Sequence, residues 1–417
     1  MKPYTFSGHD TFVLRHGWLK KIYDRLGELA TELGDAPKGF AVPAAILFEP
    51  EQSMSAFGVG KNMVRAMRYW AQATNLFELV DGDYIRPTDL GSTLLGNDAK
   101  GLGIGLDPFF ERSASLWAIH WEIATNRTSC TAWDYAFSTF NRTIFTKEAL
   151  ISGLAAEVEE NEWGVSRGSV EKDITCLLHM YCPDARTSKG ALREEGFESP
   201  LADLGLIWRD AASGGYRFEV GPKPDLSPYV LYYAIARFSE GHSSRLLSLD
   251  EIFYDHGAPG RVFKLDENAM CSILEKAADM TDGALEWQET GPLRQIKLSD
   301  GLSLCRKGCG MKAIDRSVKV RSRFLRSTRL DAVDAGELLD GFVLHETGVR
   351  ILSRVIEDII SGDQRAFTWT GAYGSGKSTL ALYLTKLLAS KPKDRVKLKP
   401  TTKGSTSGFT QLASKIG

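Results

Sequence analysis

Cysteine is scarce in this chain, six in 417 residues. That is too few for a disulfide framework, and it points to a reduced, cytoplasmic protein. Long apolar runs are missing as well. No stretch approaches the roughly 20 residues needed to span a bilayer. The opening Met1-Lys-Pro-Tyr-Thr-Phe6 has no apolar core of the kind a secretion signal needs. Neither sign of charge prevails, with 51 Lys and Arg against 53 Asp and Glu, net −2. Nucleic acid could therefore be engaged only through local basic patches. Secreted and membrane roles are not expected. What is present is ordinary globular composition, 43% hydrophobic and 25% charged, over a length that supports two or three cores.

No exact short repeat recurs, but one coarse unit does: a polar-faced helix, a short apolar run, then two strands joined by a turn. In the first copy, Phe57 to Trp70 places Met63, Val64, Met67 and Trp70 on one helical face. Leu76 to Val80 and Tyr84 to Thr88 follow, joined at Asp81-Gly82, a pair that favours the positive φ of a hairpin turn. The second copy runs from Ser166 to Tyr181, with Leu206 to Arg209 and Tyr216 to Val220 as its hairpin around Ser213-Gly-Gly215. A third is Glu267 to Asp279, then Leu285 to Glu289 and Leu293 to Leu298 around Thr290-Gly291. Helix plus hairpin is the outline of a winged helix. Between the first two copies lie Trp117, Trp121, Trp133, Phe137, Phe140 and Phe145, at helical spacing. Such aromatics could stack bases, but they read first as core.

The texture changes at Arg306. As far as Arg329 there are nine basic residues against Asp315 alone, a segment able to follow a DNA backbone or to serve as a solvated linker. Beyond it the pattern is α/β. A helix is expected from about Gly348 to Ile360, then a buried strand at Ala366 to Thr370.

Directly after that strand, Gly371-Ala-Tyr373-Gly374-Ser375-Gly376-Lys377-Ser378 satisfies G-x-x-x-x-G-K-[ST], and Thr379 to Leu388 continues as an apolar helix. The residue types follow from the chemistry. Glycines let backbone N–H groups curl around phosphates, and the helix N-terminus adds positive potential. Lys377 brings a point charge to the β- and γ-phosphates, Ser378 a hydroxyl for Mg²⁺, and Thr379 a contact to the α-phosphate. ATP and Mg²⁺ are the cofactors this implies. A working hydrolase also needs a Walker B strand ending in Asp. The remaining residues are Ser/Thr/Lys-rich, with Asp394 as their sole acid. The expectation is a P-loop NTPase domain truncated before Walker B, with hydrolysis not expected from these residues alone.

Lys61, Arg65 and Arg68, at i, i+4 and i+7, form one stripe on the first copy's helix. They are the candidate nucleic-acid contacts, with a solvated face as the plain alternative. Arg15, Lys20 and Lys21 extend the basic character less persuasively. Cys176, His179 and Cys182, with Cys305 and Cys309 downstream, miss zinc spacing and read as buried thiols. Ser7, His9 and Asp10 are too close along the chain to make a triad.

Several stretches resemble an uncharacterised prokaryotic domain family encoded beside DNA-phosphorothioation and anti-phage defence genes. They are Gly8-His-Asp-Thr-Phe-Val-Leu-Arg-His-Gly-Trp-Leu19, Phe57-Gly-Val-Gly-Lys-Asn-Met-Val64, Asp107-Pro108, Leu116 to Trp121, Ser169-Val-Glu-Lys-Asp173 and Ser199 to Ile207. The resemblance covers roughly the first 300 residues and brings no catalytic residues. Leu344 to Arg350, with Tyr373-Gly-Ser-Gly-Lys-Ser378, is similar to the start of large defence-associated ATPases. It implies nucleotide binding, not catalysis.

The expected architecture is mixed. Residues 1–305 form a mainly α-helical region with winged-helix-like units, 306–329 a basic linker, and 330–417 the truncated α/β P-loop segment. The expected function is an ATP-binding, DNA-interacting component of a modification or defence system, partnered by DNA and by other proteins of that system. The rival is a non-enzymatic DNA-binding or adaptor protein with a vestigial P-loop. A nuclease or nickase is a third reading, without a carboxylate–lysine cluster to support it.

Overall fold

The structure is a computed structural model, and it describes residues 4–33, 41–96, 105–182, 199–242, 244–281, 283–290, 293–299, 346–361 and 377–390. The chain divides into two units, Met1–Gly310 and Met311–Gly417. Among the described residues, no helix is long and apolar enough to cross a membrane.

In the first unit the same construction occurs three times. The first copy opens with α1 (Trp18–Glu32), which buries Trp18, Leu19, Ile22, Tyr23, Leu26 and Leu29 along one helical face. Then come β1 (Val42–Pro43), α2 (Ala44–Leu47), α3 (Pro50–Phe57) and α4 (Lys61–Ala73). The Glu49 carboxylate accepts the Gln52 N–H, and Pro50 sits in the first turn, so α3 starts where capping chemistry places it. The hairpin β2 (Phe77–Val80) and β3 (Tyr84–Pro87) turns at Asp81 and Gly82, with φ of 52° and 81°. Val80 pairs with Tyr84, so the loop has three residues, and Asp and Gly are residue types that accept positive φ there. β1 pairs with β3, giving the antiparallel order β1-β3-β2.

A connecting region follows: α5 (Asp89–Leu95), α6 (Ser113–Thr125) and α7 (Thr131–Asp134), the last running into a π turn over Tyr135–Thr139. The second copy is β4 (Ile144–Phe145), α8 (Lys147–Glu160), α9 (Arg167–Tyr181), a 3₁₀ turn at Pro200–Leu204, β5 (Ile207–Arg209) and β6 (Tyr216–Phe218), in the order β4-β6-β5. The third has α10 (Pro228–Ser239), β7 (Leu246–Ser248), α11 (Leu249–Tyr254), α12 (Pro259–Val262), α13 (Glu267–Met280), β8 (Leu285–Thr290) and β9 (Leu293–Leu298), in the order β7-β9-β8. Each copy thus leads from a short strand through helices to a hairpin whose second strand is central. The three hairpins and the second and third helices lie where periodicity and turn chemistry put them. The first helix, expected from Phe57, begins instead at Lys61: Phe57 closes α3, and Gly58, at a φ of 65°, ends it. The three leading strands are additions.

α6 is the shared axis. Every residue from Ser115 to Ala124 is buried, so this helix has no solvent face and must be packed on all sides. The aromatics of the connecting region are core: Trp117, Trp121, Trp133 and Phe137 are each no more than 2% exposed.

The second unit contributes α14 (Glu346–Ser361) and α15 (Lys377–Ala389) among the described residues. α14 buries Val349, Leu352, Val355 and Ile356 on one face, and α15 buries Leu382, Tyr383, Leu384 and Leu387. The expected strand at 366–370 and the basic segment 306–329 lie outside the described residues.

Candidate nucleic-acid interface and supporting polar core

Lys61, Arg65 and Arg68 all lie on the exposed face of α4, opposite buried Val64, Met67 and Trp70. The Trp70 indole N–H donates to the Phe12 carbonyl at 3.0 Å, which fixes the helix's rotation and so the direction of the stripe. Arg65 is 3.7 Å from an Asp10 carboxylate oxygen, and its side chain is 60% exposed. A pair of that length and exposure holds the guanidinium weakly. Arg68 lies 6.0 Å over the Phe48 ring. At the start of α4, Gly60 provides no side-chain cap, so the first-turn N–H groups stay open beside Lys61. The hairpin tip next to this helix is acidic, with Asp81 and Asp83 exposed. A phosphate would therefore be met by the helix rather than by the turn.

The corresponding helices of the other copies differ. α13 presents Glu267, Glu275 and Asp279 to solvent against Lys276, a face that repels a polyanion. On α9 the exposed residues are mixed, with Arg167 and Lys172 beside Glu171. Among these three helices, only α4 carries an unmixed cationic stripe.

Ser7, His9 and Asp10 form no triad. His9 is instead bound to Asp173, 164 residues away, with Nε2 and Oδ1 3.0 Å apart and both side chains buried. The Thr11 N–H points at His9 Nδ1 over 3.1 Å, which makes that nitrogen the acceptor and leaves the ring proton on Nε2. Asp173 Oδ1 also accepts the Ser7 N–H at 2.8 Å. The imidazole packs among Tyr69, Trp70 and Trp133. A Cβ on Gly8 would come within 2.5 Å of the Tyr69 ring, so glycine is required there by close approach. Two of the stretches that carry the family resemblance, around Gly8 and around Asp173, thus meet in one buried knot. It holds the N-terminal turn against α4 and α9.

Two more buried polar residues project from α6. Glu122 accepts from Asn75 Nδ2 at 2.6 Å and from the Tyr233 hydroxyl, which joins the first copy to α10. His120 Nε2 faces the Val262 carbonyl at 3.0 Å and Nδ1 faces the Tyr181 hydroxyl at 2.7 Å, joining the second copy to the third. Burial pushes the His120 imidazole from 6.5 down to about 3, the Val262 carbonyl pulling it up and the Lys264 charge lowering it further. Between those values the unfolded chain binds a proton that the folded chain refuses. Stability therefore falls with falling pH across that window, by about 1.4 kcal/mol per unit at most. Urea melts from pH 7.5 to 4.5 should show the advantage of wild type over His120→Gln shrinking as the pH drops.

Cys130 and Cys176 are buried, the Cys130 thiol pushed up to about 12 by burial, and Cys176 likewise raised. His179, by contrast, is exposed, so it does not share a face with Cys176. Among the described residues no group of His, Cys, Asp and Glu could hold a metal ion. Cys305 and Cys309 lie outside them.

Two of the surface cavities among the described residues are bordered by basic side chains. One of about 210 Å³ is bordered by Arg261 and Lys264. Their donors are already engaged by carbonyls at the end of the π turn: Arg261 by Ser138, Lys264 by Phe137 at 3.0 Å. Both groups thus sit at a helix C-terminus, and burial, with the Arg261 charge, lowers the Lys264 ammonium from 10.5 to about 7. The other, about 390 Å³, lies between α8, α9 and the β5–β6 hairpin, bordered by Lys147, His179 and Arg209. Sequence reasoning missed it because its residues come from three separate segments.

Of the phosphate-loop residues, Gly371, Tyr373, Gly374, Ser375 and Gly376 lie outside the described residues. Lys377, Ser378 and Thr379 form the first turn of α15. The helix opens at the lysine, the position at which a phosphate loop would hand over to its helix.

The first unit is therefore a protein of three strand–helix–hairpin copies gathered around one buried helix. The chain belongs to the family described as "Protein of unknown function (DUF4007)", which matches residues 6–308. Two solved structures are similar to it. "SspB crystal structure" shares 27% identity at a TM-score of 0.58, covering 71% of this chain and 83% of that one. "Magnesium ion-bound SspB crystal structure" has the same identity and coverage at 0.59. No curated protein matches.

Proposed function

We propose that this chain is an ATP-binding, DNA-interacting component of a bacterial DNA-modification system of the phosphorothioation type, or of an anti-phage defence system. The likeness to SspB supports the phosphorothioation-associated setting and membership in a multi-protein system. The observation that carries the DNA contact is the exposed stripe of Lys61, Arg65 and Arg68 on α4. That helix directly precedes a hairpin, the outline of a winged helix and the position from which such a domain addresses the duplex. The aromatic core behind it and the His9–Asp173 knot give the stripe a rigid base.

In the second unit, Lys377 supplies a positive charge to the terminal phosphates, and Ser378 a hydroxyl ligand for magnesium. Bound ATP·Mg²⁺ supplies a nucleotide state to which contact with DNA can be coupled.

The test is duplex binding measured across a salt series. Replacing Lys61, Arg65 and Arg68 together with alanine should flatten the slope of log K against log salt by about 2 to 3, near 0.9 for each phosphate no longer neutralised. The secondary structure should be unchanged, because all three side chains are exposed. An unaltered slope and affinity would remove α4 from the interface.

A further inference from the structure

The 390 Å³ cavity of the second copy has a chemistry of its own. Basic side chains reach it from three elements: Lys147 from the start of α8, His179 from α9 and Arg209 from β5. Hydroxyl-bearing Thr146 and Thr175 border it as well, and none of the described residues lining it is acidic. Lys147 pairs with Glu171 over 3.9 Å, across two exposed side chains. Such a pair yields to a better anion at little cost.

Orientation is also built in. The Arg209 guanidinium lies 4.2 Å over the Tyr216 ring. That ring in turn stacks on Phe145 at 5.9 Å with an interplanar angle of 21°. Phe145, Tyr216 and Arg209 thus form three tiers ending in a planar guanidinium, whose fork suits phosphate oxygens and whose face suits a flat ring. At the wall formed by the turn, a Cβ on Gly215 would fall 2.4 Å from the Phe145 carbonyl oxygen. Only glycine lets the hairpin lie this close to the strand.

A phosphate alone would leave most of this volume empty. We infer that the cavity is a nucleotide site: Lys147, His179 and Arg209 take the phosphate ester while the base lies over the Arg209 plane. The shared chemistry is one nucleoside phosphate, supplied either as a free nucleotide or as one unit of a DNA strand. The site depends neither on the α4 stripe nor on the phosphate loop of the second unit.

The experiment uses the full chain carrying Lys377→Ala, so that the phosphate loop does not contribute, and titrates it with deoxyadenosine monophosphate, a short single strand of DNA and inorganic phosphate. Calorimetry should show saturable binding of the monophosphate, competed by inorganic phosphate. The double variant Lys147→Gln/Arg209→Gln should weaken it at least about tenfold, the loss of two charge-assisted hydrogen bonds. The melting temperature and circular dichroism should be unchanged. Arg209→Lys, which keeps the charge and loses the fork and its flat face, should weaken binding less. Binding of the single strand without the monophosphate, lost in the same double variant, would support the site with DNA as the source. The Lys61→Ala/Arg65→Ala/Arg68→Ala chain should bind the monophosphate normally, which separates this site from the DNA reading of α4. Absence of binding by all three probes, or equal binding by the double variant, would overturn the proposal.

Discussion

Replacing Asp173 with alanine should destabilise the first unit by about 2 to 6 kcal/mol, each buried donor left without an acceptor costing about 1 to 3. Two donors lose their partner at once, the His9 Nε2–H and the Ser7 N–H. The His9 donor cannot turn to water, since that ring is fully buried among Tyr69, Trp70 and Trp133. Asp173→Asn retains a carbonyl oxygen and should recover part of the loss. Chemical denaturation of the three chains under one set of conditions gives the ranking wild type, Asn, Ala. The damage should also reach α4, because the Gly8 turn rests on Tyr69 and the Phe12 carbonyl accepts from Trp70. Amide exchange in α4 should therefore accelerate more than in α13, which lies in the third copy. Equal stability of Asp173→Ala and wild type would mean the knot is ornamental.

What is legible in the chain depends on the range of the interaction that decides it. The hairpins are legible because Asp81-Gly82 and Ser213-Gly-Gly215 announce themselves within a few residues. The helices α4, α9 and α13 are legible because each repeats its apolar face within a few turns. The strands that complete each sheet are not. β1 and β4 have two residues each and β7 three, too short to show an alternation. Pairing for them is decided by the central strand they meet. The aromatic region reads as core, and it is core. The wholly buried state of α6 and its role as an axis depend on partners distant in sequence.

The candidate site divides the same way. Lys61, Arg65 and Arg68 share a face by helical spacing alone, and α4 exposes that face. No local rule joins His9 to Asp173, which is 164 residues away; Ser7 and Asp10 are the partners visible nearby. A signal is present, however, since both His9 and Asp173 fall within stretches that carry the family resemblance. Lys147, His179 and Arg209 have no such signal; only the packing of α8, α9 and the hairpin brings them around one cavity.

In the second unit, Lys377→Ala should lower the affinity for ATP·Mg²⁺ by about a hundredfold, the equivalent of about 3 kcal/mol in charge-assisted hydrogen bonds to phosphate oxygens. Fluorescent-nucleotide titration of the full chain, with the cavity variant Lys147→Gln/Arg209→Gln as parent, isolates this loop from the second-copy site. Two features agree on the expectation: a G-x-x-x-x-G-K-[ST] run from Gly371 to Ser378, and a helix, α15, that opens at the lysine. Lys377→Arg keeps the charge but sets a larger planar group where a compact ammonium is needed, so it should bind poorly as well. Ser378→Ala should leave nucleotide binding without magnesium unchanged and reduce the gain that magnesium brings, because its hydroxyl addresses the metal rather than the phosphates. Equal ATP affinity before and after Lys377→Ala would show that the loop is vestigial. The adaptor reading, with DNA contact residing in the first unit alone, would then replace the nucleotide-coupled one.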